Sequence, residues 1–262
     1  MSFGPDRLPS ALVLTFDNLG EASELERGTW PESASVGAHR SVTDVLPRLL
    51  NELDANALRA TFFVEAINSE LYPEALHEIV GRGHEIAVHG WRHETWSELA
   101  PASELELVTR AVGAFATLEL EVSGFRPPGG ALTESSPRIL REAGISWCSP
   151  AGGTAGLRDG LAFVPFDWEL VDAYHLMKEF AALRAQHGDR AEPLAPAELA
   201  GRMWERLDSS RELRTVILHP FLMLDGAWWE LVCELLERIG SLARSWVVPG
   251  GQFARWLAAE AR

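Results

Sequence analysis

Only two cysteines, Cys148 and Cys233, occur in 262 residues. Two positions cannot build a disulfide framework, and a reducing cytoplasm fits that usage best. Basic residues are also scarce: 23 Lys and Arg stand against 38 Asp and Glu, a formal net charge of -15. A field of that sign repels phosphate backbones and anionic lipid surfaces, which argues against nucleic-acid and membrane partners. The expected partner is a neutral or cationic small molecule. No stretch approaches the roughly 20 apolar residues of a membrane span. Met1 to Pro9 lacks a basic region followed by an apolar run, so no secretory leader is expected. Internal repeats and low-complexity tracts are missing too. So is a glycine-rich turn after the first apolar run: Leu19-Gly20-Glu21-Ala22 is no dinucleotide-binding loop.

What the chain does have is alternation. Hydrophobic residues make up 47% of it, enough for a sizeable core. Apolar, β-branched runs fall at 11–16, 60–65, 85–89, 121–125, 145–148, 162–165, 215–219 and 245–248. Between most of them lie segments of helical period, such as Val42, Val45, Leu46, Leu49, Leu50 and Leu53. Longer helices are predicted over 99–120, 175–187, 196–207 and 228–239. Strands alternating with helices require crossover connections and a largely parallel sheet. The prediction is one α/β domain over residues 1–262, a closed or nearly closed barrel. Residues 21–40 form a long polar insertion after the first strand, read as a structureless loop shaping the mouth of a site.

Polar chemistry sits repeatedly at the ends of the apolar runs, as in enzymes whose catalytic groups ride on the loops of a β/α scaffold. Asp17-Asn18 ends the first run, and His89-Gly90-Trp91-Arg92-His93 ends the third. Arg126-Pro127-Pro128-Gly129-Gly130 follows the fourth, and His219-Pro220 the seventh. Two imidazoles plus an oxygen ligand, with a position left open for water, make a catalytic metal arrangement. Zinc suits those donors, as do cobalt, nickel and iron. The Pro-Pro-Gly-Gly segment must be a rigid turn with exposed backbone, so Pro128 and Gly129 are candidate substrate contacts, and a turn alone would not require Arg126. His39 is a candidate contact at the mouth of the site or a solvent-facing residue. Trp91, Trp96 and Trp168 either stack on a substrate ring or fill the core. Cys148 reads as a small buried hydrophobe.

Taken in order, these segments resemble the polysaccharide deacetylases, the NodB-homology group of carbohydrate esterases. The motifs are Thr15-Phe16-Asp17-Asn18, His89-x-x-x-His93, Arg126-Pro127-Pro128-Gly129 and Leu218-His219-Pro220, with Ala60-Thr61-Phe62-Phe63-Val64 and Gly81-Arg82-Gly83-His84-Glu85-Ile86 as supporting segments. Val36-Gly37-Ala38-His39-Arg40 and the Leu-His-Pro form further resemble a subgroup containing intracellular peptidoglycan deacetylase homologues and allantoinase-like cyclic amidases. The resemblance implies a deformed (β/α) barrel of about seven strands. It also implies Asp17 as general base, Arg126 orienting it, and His219 as general acid. Asn18, His89 and His93 stand at the metal-ligand positions, for a divalent ion, most simply Zn²⁺. Asn18 departs from the pattern, which has an aspartate there, so the site loses an anionic ligand. Asp167 either holds His219 or caps the helix beginning near Ala173. The implied reaction is hydrolysis of a linear amide in a small N-acyl metabolite or amino sugar. Metal-independent opening of a ureide or imide ring and non-catalytic carbohydrate binding are the rivals.

Overall fold

The computed structural model describes residues 2–209 and 212–261. Its strands are β1 (Ser10–Asp17), β2 (Thr61–Val64), β3 (Glu85–Val88), β4 (Gly124–Phe125), β5 (Trp147–Cys148), β6 (Gly156–Arg158), β7 (Leu161–Phe163), β8 (Leu213–Leu218) and β9 (Ser245–Val248). Each of the eight apolar runs overlaps one of them. The unpredicted strand is β6, which forms an antiparallel hairpin with β7. Its turn is Asp159-Gly160 with φ of 48° and 83°. Asp-Gly with both residues left-handed is the signature of a tight hairpin. The sheet runs β6-β7-β5-β4-β3-β2-β1-β8, with β9 on β1. From β7 to β8 that path comprises seven strands joined only by parallel ladders, the barrel wall the motifs implied. No ladder joins β7 to β8 among the described residues. The gap is spanned by a parallel bridge between Val171 and Ile217 and by Thr215 Oγ1 donating to the Pro165 carbonyl at 2.8 Å.

Strand alternation divides the core into two layers. Leu12, Leu14 and Phe16 face outward onto the helices, where Leu46, Leu49, Leu50 and Leu53 present one buried stripe of the helix Leu46–Ala55. Ala11, Val13, Phe63, Ala87, Trp147, Ala162 and Val164 fill the barrel itself. Trp147 is the large plug. A Cβ at Gly124 or at Gly250 would each lie 2.3 Å from its ring, so both positions need glycine. Because the ladders are in register, every second residue forms an inward row, and its upper members are Asp17, His89, Arg126 and His219. The β1–β8 ladder pairs Thr15 with Ile217 and Phe16 with Leu218, which brings Asp17 level with His219.

Two predicted segments differ from the structure. Residues 21–40 are tethered rather than structureless. They contain a short helix, Ala22–Glu26, and Glu21 is fully buried. Its carboxylate accepts from the Gly37 amide at 2.5 Å and from the Tyr72 hydroxyl. The helix predicted over 175–187 is broken into Asp172–Leu176, a 3₁₀ turn Lys178–Phe180 and Ala181–Gln186. The buried Arg184 guanidinium causes the break. It donates to the carbonyl of Tyr174 and, at 2.8 Å, to that of Met177. A continuous helix would have used those carbonyls itself. No helix among the described residues is long and apolar enough to cross a membrane.

Candidate active site

Arg126, just beyond β4, organises the upper end of the barrel. Its buried guanidinium donates through Nη1 to Asp17 Oδ1 at 2.6 Å and Thr15 Oγ1 at 2.8 Å, and through Nη2 to Ser149 Oγ at 2.8 Å. It also lies 3.9 Å above the Phe63 ring. Asp17 is therefore held by one oxygen. Oδ2 is left free to act, 3.9 Å from His89 Nε2.

His89 Nδ1 lies 2.9 Å from the Arg126 carbonyl. A carbonyl only accepts, so Nδ1 carries the proton and Nε2 presents a lone pair. Burial pulls the His89 pKa down to about 3, and it pulls His93 well below the ordinary imidazole value. Both rings are therefore neutral at physiological pH. The ring centroids are 5.0 Å apart. A left-handed backbone makes this convergence possible: φ is 76° at Gly90 and 73° at His93. The second of these is a costly conformation for a residue that bears a side chain. Glu94 fixes the turn by accepting from the amides of Trp91 at 2.9 Å and Arg92 at 2.8 Å. Asn18 is also left-handed (φ 59°), and its Oδ1 is buried without a partner.

A third ionisable group lies against the histidines, and the motifs did not point to it. Glu65 directly follows β2, and the β2–β3 ladder, pairing Val64 with Val88, sets it beside His89. One donor atom each from Glu65, His89 and His93 lies within 4.8 Å of the others. Two neutral imidazole nitrogens and a carboxylate oxygen are a suitable donor set for a divalent ion of the zinc type. The signal was available: Glu65 ends an apolar run as His89 and His219 do, and shares strand parity with Thr61 and Phe63.

His219 Nδ1 is bonded to Asp172 Oδ1 at 2.5 Å, while Asp172 Oδ2 accepts from the His219 amide at 2.8 Å. Burial opposes protonation of this imidazole, but the Asp172 carboxylate more than offsets it and leaves the pKa above its ordinary value. Asp167 therefore does not hold His219. It is exposed, one residue before the 3₁₀ turn Trp168–Leu170, and its side chain caps nothing. The orienting carboxylate lies five residues further along, delivered by the Val171–Ile217 bridge. No sequence spacing marked it.

Asp17, Asn18, His89, His93, Arg126 and His219 line one cleft of about 470 Å³. Its walls are largely aromatic and apolar, and Trp168 and Gly129 are among them. Three candidate contacts sit elsewhere. Trp91 is buried, with the Arg110 guanidinium 3.5 Å above its ring. Pro128 is buried behind Gly90, where an added Cβ would approach its Cγ to 3.2 Å. His39 does not line the cleft; it braces the wall residue Glu24, with Nε2 3.7 Å from the carboxylate. Trp96 is fully buried against Phe125. Burial pushes the Cys148 thiol up to about 12, which makes it inert.

A parallel half-barrel thus gathers a buried Asp–Arg pair, two neutral histidines and an Asp-held histidine at one cleft, with Glu65 buried beside the two histidines. The model of the polysaccharide deacetylase family matches residues 6–147, and the chain belongs to that family. It is 32% identical over 114 residues to chitin deacetylase 1 of Saccharomyces cerevisiae, covering 43% of this chain and 34% of that protein. The alignment thus spans about a third of that curated relative's length. Among solved structures, a Mycobacterium smegmatis protein assigned to the polysaccharide deacetylases superposes with a TM-score of 0.85 at 24% identity, covering 98% of this chain and 93% of that one. An allantoinase superposes with a TM-score of 0.78 at 16% identity, covering 98% and 92%. These likenesses show the fold.

Proposed function

We propose that the protein is an amide hydrolase that removes an acyl group from a small N-acylated metabolite or amino sugar, with a divalent metal ion held by His89 and His93. The observation that carries this reading is the convergence of Asp17, the two neutral histidines and His219 on one cleft. Bound there, a metal ion would supply Lewis acidity at the amide carbonyl. The chain's own groups supply the proton transfers. Arg126 fixes Asp17 so that Oδ2 accepts the proton of the attacking water. Asp172 fixes His219 so that Nε2 donates to the departing nitrogen, without which an amine leaves poorly. A volume of about 470 Å³ suits a single small ligand better than a polymer strand. Trp168 and Gly129 are the proposed substrate contacts. Two free cysteines support a reducing, cytoplasmic setting.

Protein stripped of metal should lose hydrolysis of small N-acetyl substrates and regain it with added Zn²⁺. Elemental analysis alongside the assay checks this, and full activity in rigorously metal-free protein would overturn it. Asn18, a neutral residue where the family pattern carries an anion, favours one second reading, a metal-independent cyclic amidase on a ureide or imide ring. Metal-free opening of such a ring is the result that would establish it.

The proposed acid, His219, must be protonated to act, so activity should fall as pH rises through its elevated pKa. Asp172→Asn removes the charge that raises that pKa, so the alkaline limb of the pH–rate profile should move to lower pH. A limb that stays in place would mean that His219 is not the proton donor.

A further inference from the structure

The carboxylate of Glu65 has no visible purpose in the packing. The residue is fully buried, and neither carboxylate oxygen has a hydrogen-bond partner, though the amides of Glu65 itself and of Leu19 lie near enough to ease a charge there. Folded proteins rarely keep such a group unless a cation or a reaction compensates it. Among the described residues, no side-chain cation pairs with it. The buried Arg126 guanidinium is committed to Asp17, Thr15 and Ser149. Conversely, His89 and His93 offer two neutral nitrogens that bring no negative charge to a metal, and Asn18 adds at most a neutral oxygen.

These two deficits lie within 4.8 Å of each other. We propose that Glu65 is the anionic ligand of a divalent cation of the zinc type, bound by Glu65, His89 and His93. The negative charge that the family pattern places at the end of β1 has moved to the end of β2. The closeness of the Glu65 carboxyl to the Leu19 amide, immediately after Asn18, puts it beside the vacated position. His89 is already prepared for the role, since its Nδ1 proton is bound by the Arg126 carbonyl and its Nε2 is free. Asn18 is then a neighbour whose amide tolerates the left-handed turn.

This inference rests on the metal-binding reading of the site. The test uses the full chain, freed of metal and titrated calorimetrically with Zn²⁺. A parallel thermal melt with and without zinc reports folding as well as binding. Glu65→Gln should weaken zinc binding by more than the roughly 10–100-fold that loss of an outer-shell partner costs. It should also abolish the zinc-induced rise in Tm, while the metal-free Tm stays at or above wild type because an amide is easier to bury than a carboxylate. Asn18→Gly should bind zinc almost as wild type does. Glu65→Gln combined with Asn18→Asp should recover much of the lost affinity by returning the charge to β1. Wild-type affinity in Glu65→Gln, with affinity lost in His89→Ala, would overturn the role of Glu65 and leave the metal reading standing. Equal losses in Asn18→Gly and Glu65→Gln would also overturn it. Absence of zinc binding by the wild-type chain would overturn both.

Discussion

Asp17→Asn and His219→Ala should each lower turnover of an unactivated N-acyl amide by about 10²–10⁴, the range of a positioned proton transfer. Leaving-group dependence separates the two roles. An anilide with a good leaving group departs with little protonation, so it should rescue His219→Ala far more than Asp17→Asn. Zinc content should be almost unchanged in both variants, since neither residue belongs to the Glu65, His89 and His93 cluster. Equal rescue of the two variants would contradict the assignment of base and acid. Loss of zinc from His219→Ala would make that residue a ligand instead.

The largest effect on stability is expected at Arg126. With side chains only 2% and 5% exposed, the Arg126–Asp17 pair is removed from solvent screening. Arg126→Leu would leave the Asp17 carboxylate buried and uncompensated, which costs about 3–5 kcal/mol when one member of a buried pair is removed. Thr15 and Ser149 would each lose a hydrogen-bond donor as well. Asp17→Asn should be much milder, because an asparagine Oδ1 can still accept from Nη1 and the guanidinium keeps its contact with Phe63. The double variant should recover part of the Arg126→Leu loss. Denaturant unfolding of the four proteins gives the coupling energy. Additive losses would show that the pair does not act as a unit.

Much of the site was legible because strand ends are legible. Asp17, His89, Arg126 and His219 each terminate an apolar run. In a parallel barrel such positions gather at one end whatever the loops between them do. The same logic, carried through without a motif to guide it, would have reached Glu65. Asp172 is different. It follows no strand, and its place beside His219 depends on the Val171–Ile217 bridge across the open side of the barrel, between segments far apart in the chain. Trp91 and Trp168 show the same limit, since both precede or follow plausible site residues. Only the packing sends one beneath Arg110 and the other to the cleft wall.

Spacing along the chain dictates the alternating β/α order, the apolar parity that sorts inward from outward residues, and the chemical types at the barrel mouth. All of these are local properties, set by the geometry of strand and helix. Which carboxylate meets which histidine is not local. Asp17 is committed to Arg126 and Asp172 to His219, while Glu65 is left unpaired beside His89 and His93. Such pairings depend on ladder register and on distances between remote segments, and a buried charge takes its character from the neighbours that register provides.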